Sequence, residues 1–406
     1  MDQVNNLLDY SALRRALPLG VAFLTLYHLL KPRQTSNWSS PPSIPSPTAR
    51  IISLPQSSQD ALPYPPNALP GARDVPSPFG TIRIYEWGPP DGPRVLLIHG
   101  ISTPCISLAS VAKLLVSHGY RVMLFDLFGR GYSDTPDPVS QPQNMQLFTT
   151  QILLALTSSP VAWTGERKFR IVGYSLGGGI AVDFTSYFPA LVEGLVLIAP
   201  SGLLRKERIH WSSRMIYGGP MPRSLVYWLV GRRLGGGAPP TGSRSVSKGN
   251  PEATPADVVV AEVPGGEEEE KEEKKNSEHP ALMPDSEAGL YEDRPGISVA
   301  DAVRWQLGHH RGFLPAFVSS IQHAPISEQQ GQWKLVGDQS KSLRGGKVLM
   351  VLGADDGVIV KHEIEEDARA VLGDDALTVR LVDAGHDLPI VKPKEVVQHI
   401  LDSWQD

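Results

Sequence analysis

The chain has 406 residues, 41% of them hydrophobic and 20% charged, with a formal net charge of −5. That length holds one large α/β domain with accessories, or two domains. The acidic balance, and the lack of any Lys/Arg stripe interleaved with aromatics, argue against nucleic acid as a partner, and the single cysteine, Cys105, excludes an internal disulfide and a CxxC metal site.

In chain order the first element is an apolar run over residues 16–30 (ALPLGVAFLTLYHLL), with Arg14 and Arg15 before it and Lys31 and Arg33 after it. A spanning helix needs about 20 apolar residues. This run is shorter, contains Pro18 and Gly20, and is followed by no small-x-small cleavage site. Three readings stay open for the N-terminal hydrophobic segment, residues 1–35: a membrane anchor, an interfacial or mitochondrial-type targeting helix, and a helix packed on the domain. The first makes the protein membrane-associated through residues 16–30; without an anchor it is expected in the cytoplasm. Residues 36–72 are rich in Pro and Ser (SNWSSPPSIPSPT, then LPYPPNALP). Such composition reads as a stiff, extended linker.

From Arg73 the pattern alternates. TIRIYEWG (81–88) and RVLLIHG (94–100) predict strands, the second buried on both faces. SLASVAKLLVSHG (107–119) predicts a helix, RVMLFDL (121–127) a strand, NMQLFTTQILLAL (144–156) a helix and FRIVGYS (169–175) a strand. GGGIAVDFTSYF (177–188) is again helical and VEGLVLIAP (192–200) a strand. This β-α-β rhythm implies a doubly wound, mostly parallel α/β sheet, with residues 73–202 as its first part. The rhythm then stops. Residues 203–335 read as an inserted helical lid, interrupted by the acidic stretch 237–296, whose GEEEEKEEKK run and scarcity of aromatics predict disorder. It resumes over residues 336–406 with KVLMVLGADD, a helix around HEIEEDARAVL, the strand LTVRLVDA and a final helix EVVQHILDSW.

The chemistry concentrates at strand ends. A nucleophilic serine needs exposure at a sharp turn, a base to take its proton and donors for the oxyanion. GYSLG, residues 173–177, supplies the turn: small residues two positions either side of Ser175 let strand and helix close on each other. Alone, GxSxG arises easily in a glycine-rich chain. Here, however, two further groups also follow strands directly: Asp355 and Asp356 in GADDG, and His386 in GHD. Reactive groups in open α/β folds gather beyond the carboxyl ends of strands, and hydroxyl, acid and base occur in the chain order that fold uses. His386 would take the Ser175 proton while a carboxylate, either Asp356 or Asp355, fixes its tautomer. Gly100 permits a tight turn after the strand ending at His99, so the N–H of Ile101 could join that of Leu176 as oxyanion donors. His99 itself reads as structural and Cys105 as inert packing. His309 and His310 lack metal-ligand spacing and read as lid residues, with no metal or other cofactor implied.

HG at 99–100, DLFGRGYSD at 126–134, GYSLGGG at 173–179, GADD at 353–356 and GHD at 385–387 together resemble the α/β-hydrolase family, specifically its lidded serine hydrolases. The resemblance implies that the acid is Asp356, three residues after Gly353, and that Asp126 and the FGRGYSD loop shape the site rather than react. It disfavours relatives with an aspartate nucleophile, because position 175 is Ser. The expected activity is hydrolysis of an ester, thioester or related acyl bond of a hydrophobic small molecule or lipid through an acyl-Ser175 intermediate. Carbon-carbon bond hydrolysis by the same three residues, and a non-catalytic hydrolase-like shell that binds a small apolar molecule, are the alternatives. The acidic insertion departs from the family pattern.

Overall fold

The computed structural model describes residues 43–165, 167–205, 216–218, 221–234 and 287–405. Within them an eight-stranded sheet is formed by β1 (Ala72–Val75), β2 (Ile82–Trp87), β3 (Arg94–Ile98), β4 (Arg121–Phe125), β5 (Phe169–Tyr174), β6 (Val192–Ile198), β7 (Val348–Gly353) and β8 (Leu377–Val382). Their order across the sheet is β8-β7-β6-β5-β3-β4-β2-β1. β2 runs antiparallel to both its neighbours, β1 and β4, and the remaining pairs are parallel. The central strands are buried at every position, as in β3 (RVLLI), β5 (FRIVGY) and β7 (VLMVLG), because helices cover both faces.

The helices used below are α1 (Ala109–Ser117), α2 (Met145–Thr157), α3 (Leu176–Tyr187), α4 (Arg223–Leu234), α5 (Val299–His309), α6 (Phe313–His323), α7 (Gln330–Asp338), α8 (Lys361–Leu372) and α9 (Pro393–Gln405). From β3 the chain steps through α1 to β4 on one side, then returns through α2 to β5 on the other and continues outward to β8. Right-handed crossovers in opposite directions place their helices on opposite faces. Accordingly α1 packs with α9, whereas α2, α3, α7 and α8 pack in sequence on one another. The reversal falls between β3 and β5, the kind of position at which ligands bind in open α/β sheets.

Two expectations change. The Pro/Ser-rich stretch is no extended spacer from Ser43 onward: it forms short helices at Thr48–Ile52 and Gln56–Asp60, and Ile51, Tyr64 and Leu69 are buried in the core. Pro content limits local backbone freedom but does not stop isolated apolar side chains from packing. The last part of the segment expected to be disordered is also ordered. Leu290 and Tyr291 are buried, the Tyr291 hydroxyl donates to the Pro63 carbonyl at 2.9 Å, and Arg294 lies 3.9 Å over the Tyr291 ring. Residues 237–286, like the apolar run 16–30, lie outside the described residues. Among the described residues no helix is long and apolar enough to cross a membrane.

One core group works against the fold. Asp183, inward on α3, is 3% exposed and its Oδ1 finds no hydrogen-bond partner among the described residues. Burial pushes its carboxyl from 3.8 up to about 6. Because the folded value exceeds the unfolded one, ionisation adds no cost when both states are protonated. Stability then falls as pH rises between the two values, and the loss is complete at neutral pH. Asp183→Asn is therefore expected to raise the melting temperature at pH 7.5 and to lose that advantage near pH 3.5; an equal gain at both would rule out ionisation as the cause.

Candidate active site

Ser175 sits where β5 hands over to α3, with φ 52° and ψ −120°. Positive φ in a residue other than glycine costs on the order of 1–3 kcal/mol and persists only where surroundings enforce it. Here the Ser175 N–H donates to the Ile198 carbonyl at 2.9 Å, and its own carbonyl accepts from Gly178 at 2.8 Å and Ser201 at 3.0 Å. The flanking glycines answer to close backbone approach. A Cβ on Gly173 would stand 2.3 Å from the Gly177 oxygen, and one on Gly177 would stand 2.1 Å from the Ile98 oxygen. Side chains at either place would push strand, helix and β3 apart.

The loops that carry Asp356 and His386 are tied together by backbone. After β7, Ala354 N–H donates to the Val382 carbonyl at 2.8 Å and Asp355 N–H to the Ala384 carbonyl at 3.1 Å. This brings two segments thirty residues apart in sequence side by side. His386 Nδ1 lies 2.9 Å from Asp356 Oδ2, and His386 Nε2 lies 3.1 Å from Ser175 Oγ. Asp356 Oδ1 accepts from the N–H groups of Val358 and Ile359, both at 2.8 Å. The carboxylate is thus buried with both oxygens occupied, whereas Asp355 is exposed.

Gly100 brings the β3 loop against the serine: a Cβ built there would lie 3.3 Å from Ser175 Cβ. His99 is fully buried, and burial together with the nearby Arg130 charge depresses its pKa to about 3. Leu127 N–H donates to Nε2 at 2.9 Å, so the ring is neutral with its hydrogen on Nδ1, which donates to the Gly100 carbonyl at 2.8 Å. Since the peptide is trans, fixing that carbonyl turns the Ile101 N–H the opposite way. Leu176 begins α3 directly after the serine, so its N–H is one of the first-turn donors without an intrahelical acceptor.

The other residues singled out by the sequence have structural partners. Asp126 is buried and accepts from the N–H groups of Cys105 at 3.0 Å and Tyr132 at 2.9 Å and from the Tyr64 hydroxyl. The Cys105 thiol, 3.3 Å from that hydroxyl, is buried and its pKa is pushed well up by burial, so thiolate chemistry is suppressed. His310 accepts from Gly312 N–H on Nδ1 and donates through Nε2 to the Ser133 carbonyl at 2.9 Å. His309 stacks on Trp305. Sequence reading missed the Tyr174–Asp387 pair. The Tyr174 hydroxyl donates to Asp387 Oδ1 at 2.8 Å and its ring lies 5.4 Å from that of His386, linking the residue before Ser175 to the residue after His386. Their positions next to Ser175 and His386 in the chain were the available signal.

Residues 93–393 match the family model described as alpha/beta hydrolase fold. A serine hydrolase-like protein of Danio rerio is 29% identical over 134 residues, which cover 33% of this chain and 39% of that protein. The match thus spans about two fifths of that relative's length. A serine hydrolase-like protein of Homo sapiens is 31% identical over 147 residues, 35% of this chain and 69% of the relative. Among solved structures, an enol-lactonase from Burkholderia xenovorans LB400 shares the fold with a TM-score of 0.52 at 14% identity, covering 82% of this chain and 100% of that one.

Proposed function

We propose that this chain, which belongs to the α/β-hydrolase fold family, is a serine hydrolase that cleaves an ester, thioester or related acyl bond of a hydrophobic substrate. The observation that carries the reading is the unbroken line from Ser175 Oγ through the His386 ring to a buried Asp356. A hydroxyl within 3.1 Å of an imidazole nitrogen, with the opposite nitrogen held by a carboxylate, is the arrangement that general-base activation of an alcohol requires. The naming of two relatives as serine hydrolase-like supports the same class.

In this reading Ser175 Oγ attacks the acyl carbon as His386 Nε2 takes its proton. Negative charge collects on the former carbonyl oxygen, where the N–H groups of Ile101 and Leu176 donate to it. Asp356 stabilises the imidazolium and keeps its Nδ1–H pointed inward. The imidazolium then gives its proton to the departing oxygen or sulfur, leaving an acyl ester on Ser175. A water that loses a proton to His386 attacks that ester, and Ser175 Oγ departs and recovers the proton. As pH falls and His386 becomes protonated, it can no longer accept, so activity declines on the acid side.

A fluorophosphonate probe tests the assignment. It should label the wild-type chain at Ser175 and leave Ser175→Ala unmodified. A well-folded wild-type chain that resists labelling would overturn the serine-hydrolase reading in favour of a binding shell.

A further inference from the structure

Three successive carbonyls in the loop after β3 are each held by a buried side chain from a different part of the fold. Gly100 is held by His99 Nδ1, Ile101 by Arg130 Nε at 3.0 Å, and Ser102 by Gln306 Nε2 at 2.8 Å. Arg130 comes from the loop after β4, and Gln306 comes from α5. The two grips are interlocked, because Gln306 Oε1 accepts the Gly131 N–H at 2.9 Å while Arg130 NH2 donates to Ser320 Oγ on α6 at 2.8 Å. The Ser320 hydroxyl spends its own hydrogen on the Ala316 carbonyl, which leaves a lone pair for the guanidinium.

We infer that Arg130 and Gln306 are positioning residues that lock the oxyanion loop to the α5–α6 segment, so that the Ile101 donor is aligned only when this segment is seated. The inference rests on the serine-hydrolase reading above. A space-filling role accounts poorly for Arg130. It is fully buried, and its remaining acceptors are the Phe128 carbonyl at 3.1 Å and Gln143 Oε1 at 3.5 Å, so every partner is a neutral oxygen. Burying a guanidinium without a carboxylate carries a heavy desolvation penalty that a neutral side chain would avoid. What the side chain adds is a fork that reaches two elements at once and a positive potential behind the loop that faces the substrate oxygen on which negative charge would develop. Gln306 supplies the second half: one amide holds the oxyanion loop and the GRG turn together across α5.

The test uses the full chain and p-nitrophenyl esters, with kcat, KM and inhibition by a trifluoromethyl ketone measured for Gln306→Leu, Ser320→Ala, Arg130→Lys and Arg130→Met. Gln306→Leu should lower kcat by roughly tenfold to hundredfold with KM changed less than about threefold, because alignment matters mainly in the transition state. Affinity for the ketone should fall by the same factor as kcat. Arg130→Lys, which keeps the charge but not the fork, should lie between wild type and Arg130→Met. If Arg130→Met does not fold, Gln306→Leu and Ser320→Ala decide the matter. A folded Gln306→Leu with wild-type kcat and ketone affinity overturns the locking role. Fluorophosphonate labelling of the wild-type chain in the same preparation separates the two failures. Labelling with insensitive kcat sinks this inference alone, and absence of labelling sinks the hydrolase reading and this inference with it.

Discussion

Ser175→Ala is expected to lower kcat by roughly 10⁵- to 10⁶-fold while melting temperature stays near that of the wild type, and His386→Ala should lower it comparably. The two losses should not add. In the proposed mechanism Ser175 Oγ and His386 Nε2 work through one 3.1 Å contact, so removing either would end proton transfer. The double variant should retain the same small residual rate, supplied by binding and the oxyanion donors. Alanine at position 175 also still has to adopt φ 52°, so its effect on stability should be small. Steady-state ester hydrolysis with active-site titration measures this, and Ser175→Ala with more than about 1% of wild-type kcat would remove the serine from the mechanism.

Asp356→Asn should cost roughly 10⁴-fold in kcat, and the hydrogen bonds around the carboxylate give the reason. Oδ1 accepts from two backbone N–H groups, Val358 and Ile359, so an amide at this position must turn its oxygen toward them. Its NH2 then faces His386 Nδ1 and forces that nitrogen to accept. The ring hydrogen moves to Nε2, and a protonated Nε2 cannot take the Ser175 proton. Asp355→Asn provides the contrast, because Asp355 is exposed. Comparing kcat of the two single variants distinguishes the carboxylates, and equal losses would contradict the assignment of the acid to Asp356.

Much of this architecture is legible in the sequence, since burial and chemistry leave local marks. Uninterrupted apolar runs such as RVLLI and VLMVLG follow from strands covered on both faces. The GYSLG corner announces itself because strand-to-helix approach leaves no room for side chains at Gly173 and Gly177. Asp356 and His386 are found by their place after strands. What escapes are pairings between distant segments. Nothing near Gln306 signals that its amide spans Ser102 and Gly131. Likewise, the Pro-rich composition around Tyr64 describes the stiffness of that backbone but not that its hydroxyl meets Asp126. The antiparallel direction of β2 is equally non-local, since it is set by its pairing with β4 across the intervening β3 and α1.

The segment around Tyr64 has a consequence for how the chain matures during synthesis. Residues 43–70 leave the ribosome early, yet their partners are Asp126 and Tyr132, which accept from and donate to Tyr64, and Tyr291 and Arg294, which bond the carbonyls of Pro63 and Asp60. This strap therefore cannot complete its hydrogen bonds until residues 291 and 294 have been made. Its contacts reach Asp126 and Tyr132 in the loop after β4 that carries Arg130, so residues 43–70, made before any of these partners, complete their packing only once Tyr291 and Arg294 have been added, and a nascent chain cut short before residue 291 lacks the groups that hold Asp60 and Pro63.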